Sequence, residues 1–202
     1  VTDNRIFKQR NVDIAVVSQD DAIAWGFSGP LIRAAGLPWD LRKSQPYDVY
    51  ERMDFDVPLG HRGDNYDRYL VRLEEIKQSA SIVRQCLNQI EPGPINIDDW
   101  RIILPPKEDV YNSIEAMIAH FKLIMEGVPV PAGEVYGYTE ATNGELGFYI
   151  VSSGAGQPYR LHIRPPCFAL MQGLKAMLVG SQLADIVPTF DTINMIGGEI
   201  DR

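Results

Sequence analysis

Histidine and cysteine are the residues of this chain best suited to metal binding or proton transfer, and they are few and scattered. The chain has three histidines, His61, His120 and His162, and two cysteines, Cys86 and Cys167. Their positions do not match the short spacings typical of zinc and iron–sulfur sites. We therefore predict structural roles for the histidines, two reduced thiols in or near the core, and no metal site within the chain.

Two further kinds of chemical motif are also missing. No grouping of Ser, His and Asp has a nucleophile-elbow signature, so we predict no catalytic residue. The glycines of SGAGQ resemble a phosphate-binding loop, but they lie between two predicted strands rather than between a strand and a helix. We predict a hairpin turn over residues 153–157. Any chemistry would then need a cofactor or partner that the chain does not itself contain.

Charged and aromatic residues are dense in WDLRKSQPYDVY and GDNYDRYLVRLEE. Opposite charges stand close enough in sequence to pair, namely Asp40 with Arg42, and Asp64 and Asp67 with Arg68 and Arg72. One interpretation is a solvated surface, where each pair contributes little to stability. The other is a partly buried polar network, in which loss of one partner costs far more.

These residues must be positioned by helices and strands that the hydrophobic pattern predicts. Apolar residues recur every three or four positions from Asp64 to Ile90, which indicates a long amphipathic helix of about 40 Å. Asp64 suits the N-cap, and Pro92-Gly93-Pro94 ends the helix. Before it, residues 28–47 are rich in Gly and Pro and predict ordered loop with short helices. Within SQDDAIAWGF, Ser18 or Asp20 would cap one or two helical turns.

A second helix is predicted from Asp109 to Glu126, with Gly127 as its end. Its inward residues would be Val110, Ile114, Met117, Ile118, Phe121 and Met125. Three strands follow in GEVYGYTE, LGFYIVSS and PYRLHIR. A third helix then starts at Pro165-Pro166 and runs to about Leu178, since proline is tolerated in a first turn.

Composition sets broad limits on function. The chain has 202 residues, 45% of them hydrophobic and 23% charged, which is typical of a folded protein with a real core. Its formal net charge of -8 argues against nucleic acid as a partner, because phosphate backbones are bound by clustered Lys and Arg. No apolar run approaches the roughly 18 residues of a membrane span, so we expect a soluble chain. Its first ten residues look like the inside of a longer chain.

The order of several long motifs resembles one family closely. These motifs are FSGPLIRAAGLPWDLRKSQPYDVY, GDNYDRYLVRLEEIKQSASIVRQCLNQI, ATNGELGFYIVS, PYRLHIRPPCFA, LADIV and GGEIDR. They resemble the C-terminal half of the D subunit of NADH:quinone oxidoreductase, respiratory complex I, over essentially all 202 residues. The resemblance implies a mainly α fold with a small antiparallel β-sheet, similar to the C-terminal portion of the nickel–iron hydrogenase large subunit. It also implies a single domain over 1–202 that is the C-terminal part of a longer subunit.

The kinship with hydrogenases suggests what this chain lacks. Hydrogenases hold their metals with two cysteine pairs, and the C-terminal pair falls where this chain has Gly198-Glu199-Ile200. They also carry Arg where Asn143 stands. Because such soft metal sites need thiolates, the resemblance implies a retained scaffold without the nickel–iron centre.

The function implied by the resemblance is two-electron, two-proton reduction of ubiquinone or menaquinone, coupled to proton translocation. Electrons would come from the terminal iron–sulfur cluster of a neighbouring subunit, while NADH, FMN and the iron–sulfur clusters belong to partner subunits and this chain binds no cofactor. Further partners would be the other subunits, especially the membrane subunit at the quinone entrance. The location would be peripheral, on the cytoplasmic face of the inner (cell) membrane. The family's quinone-facing His and Tyr lie in the N-terminal half, outside this chain.

The C-terminal residues would line the quinone cavity. The resemblance assigns Met195, Ile196 and Gly197 to its apolar wall, and Glu199, Asp201 and Arg202 to a polar network below the wall. The alternative is a terminal segment that only packs against its neighbours. Relatives commonly carry Asp at position 194 and an aromatic residue at 197, where this chain has Asn194 and Gly197. An amide cannot relay a proton as a carboxylic acid does, so Asn194 is given no proton-transfer role.

Three other functions of this chain stay open besides a role as part of a quinone-reducing subunit. One is a scaffold or assembly module that docks other subunits of the peripheral arm. The second is the equivalent subunit of a ferredoxin–plastoquinone oxidoreductase, and the third is that of a membrane-bound hydrogenase, which the missing cysteines oppose. As an enzyme component, the isolated chain is expected neither to oxidise NADH nor to reduce quinone.

Overall fold

The computed structural model describes residues 1–201, over which the chain is rich in helix with one small sheet. Its helices are α1 (Arg5–Gln9), α2 (Gln19–Ala24), α3 (Pro30–Ala34), α4 (Leu41–Ser44), α5 (Asn65–Gln89), α6 (Lys107–Asn112), α7 (Ile114–Met125), α8 (Pro166–Leu178), α9 (Ile186–Ile193) and α10 (Gly197–Ile200). Short 3-10 turns span Tyr50–Arg52 and Leu183–Asp185. Among these described helices, not one is both long and apolar enough to cross a membrane.

The sheet has three strands, β1 (Gly133–Ala141), β2 (Gly144–Ser152) and β3 (Arg160–Arg164), in the order β1-β2-β3. Thr142 and Asn143 alone join β1 to β2, a connection short enough only for antiparallel neighbours. The SGAGQ loop lies between β2 and β3, so the predicted hairpin turn is confirmed. The predicted class, helix-rich with a small antiparallel sheet, is also confirmed, while kinship of the fold with hydrogenases stays a prediction.

The chain divides into two compact units. Unit 1 comprises Val1–Gln89, Tyr138–Gly147 and 164–201, and unit 2 comprises Ile90–Gly137 and Phe148–Ile163. Unit 1 has a hydrophobic core made by Val17, Ala22, Phe27, Leu31, Ile32, Ala35, Leu170, Met177 and Ile193. These residues come from α2, α3, α8, α9 and the loops beside α2, so the short helices at the start of the chain pack on those near its end. The single domain expected for 1–202 stays a prediction.

Helix α5 begins and ends within a residue of the prediction. Asp64 is its N-cap, since the carboxylate Oδ1 accepts the backbone N–H of Asp67 at 2.8 Å. The apolar residues of its amphipathic pattern are poorly buried, since Leu70 and Leu73 are each 37% exposed and those further along the helix are largely exposed. The buried residues of α5 are instead Asn65, Arg68 and Val71. The predicted helix is therefore confirmed, but burial of its apolar face is not.

The predicted helix from Asp109 to Glu126 is wrong in one respect, because unit 2 forms two helices there, α6 and α7. Ser113 separates them with extended backbone (φ −128°, ψ 131°), and its hydroxyl accepts the backbone N–H of Ala116 at 3.3 Å, which caps α7. The residues predicted to face inward are largely exposed at Ile114, Met117, Ile118, Phe121 and Met125. Periodicity alone does not distinguish a face that packs within the chain from one that lies at its surface.

The remaining predictions of local structure hold. Helix α8 begins at Pro166 and ends at Leu178. Ser18 caps α2, because its hydroxyl accepts the N–H of Asp21 at 3.1 Å. Gly127 follows the end of α7 with a positive φ of 73°, a conformation in which glycine avoids the steric cost of a side chain.

Candidate functional site

A buried arginine connects the first helices of unit 1 with strand β1. Arg33 of α3 is 2% exposed, and its Nε donates to Oε1 of Glu75 in α5 at 2.6 Å. Its Nη1 donates to Oε1 of Glu140 in β1 at 2.8 Å and to the backbone carbonyl of Trp39 at 3.0 Å. Two carboxylates thus compensate a guanidinium that would otherwise be very costly to bury.

A second ion pair extends this cluster. Asp40 is fully buried and accepts Nε and Nη2 of Arg42 at 3.0 and 2.6 Å, which confirms the predicted Asp40–Arg42 pair. Burial by itself would raise the pKa of Asp40, but the hydrogen bonds from Arg42 and the positive charges of Arg33 and Arg42 hold that pKa below its ordinary value. Asp40 also caps α4 by accepting the backbone N–H of Arg42 at 2.9 Å.

Glu140 has the opposite electrostatic character. Burial is the largest influence and raises the pKa of its carboxyl group, although the charge of Arg33 and its hydrogen bond oppose that rise. Its second oxygen, Oε2, accepts the backbone N–H of Leu41 at 3.3 Å. Its own backbone N–H donates to the hydroxyl oxygen of Tyr47 at 3.0 Å. Strand β1 is thereby fixed to the loop that contains α4.

The predicted pairing of Asp64 and Asp67 with Arg68 and Arg72 is wrong. Asp64 instead accepts the backbone N–H groups of Asp13 and Asp67, both at 2.8 Å, and Asp67 accepts those of His61 and Arg62. Arg68 is fully buried and donates to Oδ1 of Asn65 at 2.7 Å and to backbone carbonyls. Burial lowers the pKa of Arg68 to about 10. Of the two interpretations left open, the buried polar network is correct here and at Asp40.

A cleft of about 460 Å³ lies in unit 1 beside this cluster. It is lined by Arg33, Arg42, Glu75 and Glu140 of the cluster, by Arg72, Ile76 and Ser79 of α5, by Ala141 and Thr142 at the β1–β2 turn, and by Asn194. Among residues 1–201, the buried Nε of Arg72 has no hydrogen-bond partner. Its Nη1 and Nη2 reach the backbone carbonyls of Arg68 and Ile193 only at 3.5 and 3.4 Å. The cleft therefore combines an apolar wall with the Arg72 guanidinium, whose N–H groups make few or long hydrogen bonds.

Sequence reasoning finds only Asp40 and Arg42 of this cluster and misses the rest. Arg33 stands within PLIRAAG, where flanking apolar residues signal that the arginine itself is buried. The helical pattern places Glu75 away from the apolar face of the long helix, and Glu140 is the last residue of the predicted strand GEVYGYTE, where no local signal marks it as buried. Their meeting in one site depends on tertiary packing, which no local pattern in the sequence encodes.

A second buried polar group lies where the β1–β2 turn meets the end of α9. The side-chain amide of Asn143 donates to the backbone carbonyl of Asn194 at 2.8 Å and to Sγ of Cys167 at 3.2 Å. Burial is the largest influence on the pKa of the Cys167 thiol and raises it, so the sulfur stays protonated and weakly nucleophilic at neutral pH. Both cysteines are free.

The predicted site residues follow directly after this group. Met195 packs against the hydrophobic core of unit 1, whereas Ile196 is 44% exposed and Gly197 lies in open space. Glu199 turns inward, and its Oε2 accepts the backbone N–H of Cys167 at 3.1 Å. Asp201 is exposed.

The structure thus brings Met195, Ile196, Gly197 and Glu199 onto one short segment beside α8, and their part in a quinone cavity stays a prediction. Arg202 lies outside the described residues, so its place in the predicted polar network also stays a prediction. Within residues 1–201, the structure contains no cluster of three or more His, Cys, Asp and Glu side chains suited to hold a metal ion.

Known proteins resemble this chain along its whole length. The D subunit of NADH-quinone oxidoreductase from Myxococcus xanthus is 56% identical over 202 residues, which is all of this chain and 49% of that relative. The D subunit numbered 1 of Sorangium cellulosum is 58% identical over 98% of this chain and 50% of its own length. The D subunit numbered 2 of Anaeromyxobacter sp. is 57% identical over all of this chain and 47% of its own length. The chain therefore spans about half the length of the curated relatives it matches.

These comparisons confirm the family resemblance found in the sequence. The family model described as "Respiratory-chain NADH dehydrogenase, 49 Kd subunit" matches residues 1–202. Because that match covers every residue of the chain, this protein belongs to the family of 49 kDa subunits of respiratory-chain NADH dehydrogenase.

Proposed function

We propose that this chain is part of the quinone-reducing subunit of a proton-translocating NADH:quinone oxidoreductase. The observation that carries the proposal is the identity of 56–58% with relatives named as the D subunit of NADH-quinone oxidoreductase, over 98–100% of this chain. The names of these relatives favour the respiratory enzyme over a plastoquinone reductase or a hydrogenase.

The reaction would be the transfer of two electrons and two protons to a quinone held in a cavity between this subunit and the one that carries the terminal iron–sulfur cluster. Met195, Ile196 and Gly197 form the part of the cavity wall contributed by this chain, and Glu199, Asp201 and Arg202 form polar support. Ile196 is accessible beside Met195, which is partly buried against the core, and this suits a wall that must contact an apolar headgroup. The bond from the N–H of Cys167 to Glu199 supports the polar role, since it draws this carboxylate inward.

The other components lie in neighbouring chains. NADH, FMN and the iron–sulfur clusters belong to partner subunits, and this chain binds no cofactor of its own. Its partners include the subunit of the terminal cluster and the membrane subunit at the quinone entrance. The assembly places it peripherally, at the cytoplasmic face of the inner (cell) membrane.

The test replaces one wall residue in the assembled oxidoreductase. Ile196→Met exchanges a β-branched side chain for a longer, flexible one, so we expect an altered KM for quinone and altered sensitivity to quinone-site inhibitors. Ile186→Met is the matched control, because Ile186 is 39% exposed and lies in α9, away from the proposed wall. Unchanged quinone kinetics and unchanged inhibition in Ile196→Met would contradict the cavity role. The purified chain alone should neither oxidise NADH nor reduce quinone.

A scaffold function is a second candidate, and one observation favours it. Helix α7 exposes several large apolar residues, among them Ile118, Phe121 and Ile124. Such a surface is typical of a protein that docks onto other chains. Loss of assembly without loss of quinone turnover per assembled complex, when α7 is altered, would support this role for unit 2.

A further inference from the structure

The side chain of Asn143 is 1% exposed, and its amide makes three hydrogen bonds. Its two N–H groups donate to the backbone carbonyl of Asn194 and to Sγ of Cys167, at 2.8 and 3.2 Å. Its Oδ1 accepts Nδ2 of Asn194 at 2.8 Å. Because a backbone carbonyl can only accept, the contact with Asn194 fixes which way the Asn143 amide faces. The two asparagines therefore form a reciprocal pair of defined orientation.

Asn194 also has a distinctive backbone. With φ 57° and ψ 52° it occupies the left-handed region at the end of α9, where asparagine is tolerated better than most residues. This conformation turns the chain out of the helix, and the residue that makes the turn is the one held by Asn143. The direction in which Met195 leaves α9 thus depends on one backbone conformation and on the amide pair.

The segment that follows is held again at its other end. There, Oε2 of Glu199 accepts the backbone N–H of Cys167 at 3.1 Å, and Cys167 is the residue whose sulfur contacts Asn143. Between these two attachments, no atom of the described residues lies within 4 Å of the position that a Cβ would occupy on Gly197 or Gly198. Packing contributes little at these two glycines, so the two polar attachments, together with the packing of Met195 against the core, determine where the segment lies.

We propose that the Asn143–Asn194 amide pair positions residues 195–197 for quinone binding, an inference that rests on the proposed function. Neither amide titrates, so the attachment keeps its hydrogen bonds while protons move during quinone reduction nearby. Asn143 and Asn194 act as positioning residues, since the contact with quinone is assigned to the residues that they hold.

The first experiment measures the attachment without any quinone. Asn194→Gly keeps the left-handed backbone accessible and removes the amide, and hydrogen exchange is followed in the full chain at the backbone N–H groups of Glu199 and Asp201. We expect exchange there to be about five- to tenfold faster, as loss of one hydrogen bond to a buried partner implies. Asp48→Gly is the matched control, because Asp48 is an exposed residue with φ 50°. Unchanged exchange in Asn194→Gly would overturn the proposal.

A second variant tests whether the two amides act as one unit. If they do, hydrogen exchange in the double variant Asn143→Ala plus Asn194→Gly is no faster than in Asn143→Ala alone. If the two residues act independently, the rate increases of the single variants multiply in the double variant, and the proposal of a paired unit is overturned. If Asn143→Ala does not fold because it leaves a cavity at a buried position, the exchange rates of Asn194→Gly still test the proposal.

The last experiment tests positioning for quinone in the assembled oxidoreductase. Asn194→Gly is expected to raise the KM for quinone several-fold with kcat changed less than twofold, because the segment is loosened but not removed. Faster exchange with an unchanged KM would overturn the positioning role. If Ile196→Met still alters the KM in that case, only the amide pair fails; if Ile196→Met is also without effect, the proposed cavity fails as well.

Discussion

At the residue scale, Arg33 determines how the elements around the charged cluster are placed relative to one another. Its guanidinium lies within 4 Å of three carboxylates, those of Glu75, Glu140 and Asp40, at 2.6, 2.8 and 3.7 Å. Forming such a cluster gives little net stability, since each charge must first leave water. Losing its centre is different, because Glu75 and Glu140 would lose the guanidinium that neutralises them, while only Asp40 keeps a second arginine, Arg42. The cluster therefore specifies one arrangement of α3, α5 and β1.

Arg33→Met should lower the free energy of unfolding of the chain by about 3–5 kcal/mol, the usual cost of breaking a buried ion pair from one side. Urea unfolding at pH 7 measures the change. Arg62→Met is the control, since Arg62 pairs with Asp13 at 3.0 Å but both side chains are exposed. That control should stay within about 1 kcal/mol of wild type. Similar losses in the two variants would contradict the role assigned to Arg33.

The lowered pKa of Asp40 should make the free energy of unfolding of the chain depend on pH. Its pKa is held below the ordinary value in the folded chain, so its ionised form stabilises the fold above the unfolded pKa of about 3.9, and that contribution is lost as pH falls through the folded pKa. Asp40→Asn should therefore cost about 1.5–3 kcal/mol at pH 7 and progressively less below pH 4. Urea midpoints between pH 2.5 and 7 measure this, with the exposed Asp98→Asn as control. A cost that does not change with pH would contradict the assignment.

At the scale of elements, the β1–β2 turn must approach the start of α3 very closely. A Cβ on Gly144 would lie 2.3 Å from the hydroxyl oxygen of Ser28 and 2.8 Å from the backbone nitrogen of Gly29. A Cβ on Gly29 would lie 2.4 Å from the backbone oxygen of Asn143. Two glycines facing each other thus allow backbone to touch backbone where Asn143 enters its buried position.

Gly144→Ala should destabilise the chain by about 2–4 kcal/mol, because the new methyl group meets backbone atoms and φ is +129°. Thermal or urea unfolding measures the loss. Gly93→Ala makes the same chemical change where nothing lies within 4 Å of the new methyl group, and it should stay within about 0.5 kcal/mol of wild type. Equal stabilities of the two variants would rule out the close approach.

How much the sequence predicts differs between these elements for physical reasons. The bounds of α5 and α8 are predicted to within a residue, because caps, prolines and periodicity are local signals. The break at Ser113 is not predicted, because a serine inside an amphipathic run carries no strong stop signal. The cluster of Arg33, Glu75 and Glu140 escapes prediction since its members come from distant parts of the chain. Position 194 stands out in the sequence only by comparison with relatives, and its pairing with Asn143 is visible only in the fold.

At the scale of the whole molecule, large apolar side chains are distributed unevenly. Unit 1 has a well-packed core, yet α5 exposes the large apolar residues Ile76, Val83 and Leu87. In unit 2, α7 presents an apolar face to solvent. Exposed apolar surfaces of this kind are typical of docking faces, and the proposed scaffold function assigns them to contacts with other subunits.

Phe121→Glu tests that assignment on α7. Phe121 is 61% exposed, so an acidic side chain there removes apolar surface without opening a cavity, and the free energy of unfolding of the chain should change by less than about 1 kcal/mol. Incorporation into the oxidoreductase should instead fall several-fold, because a docked surface would have to bury an unpaired charge. Native electrophoresis with quantification of the assembled fraction measures this, and Lys122→Glu, at an exposed neighbouring position, controls for added negative charge. Normal assembly of Phe121→Glu would show that the exposed face of α7 contributes nothing to docking, whereas a large loss of stability would show that Phe121 packs within the chain itself.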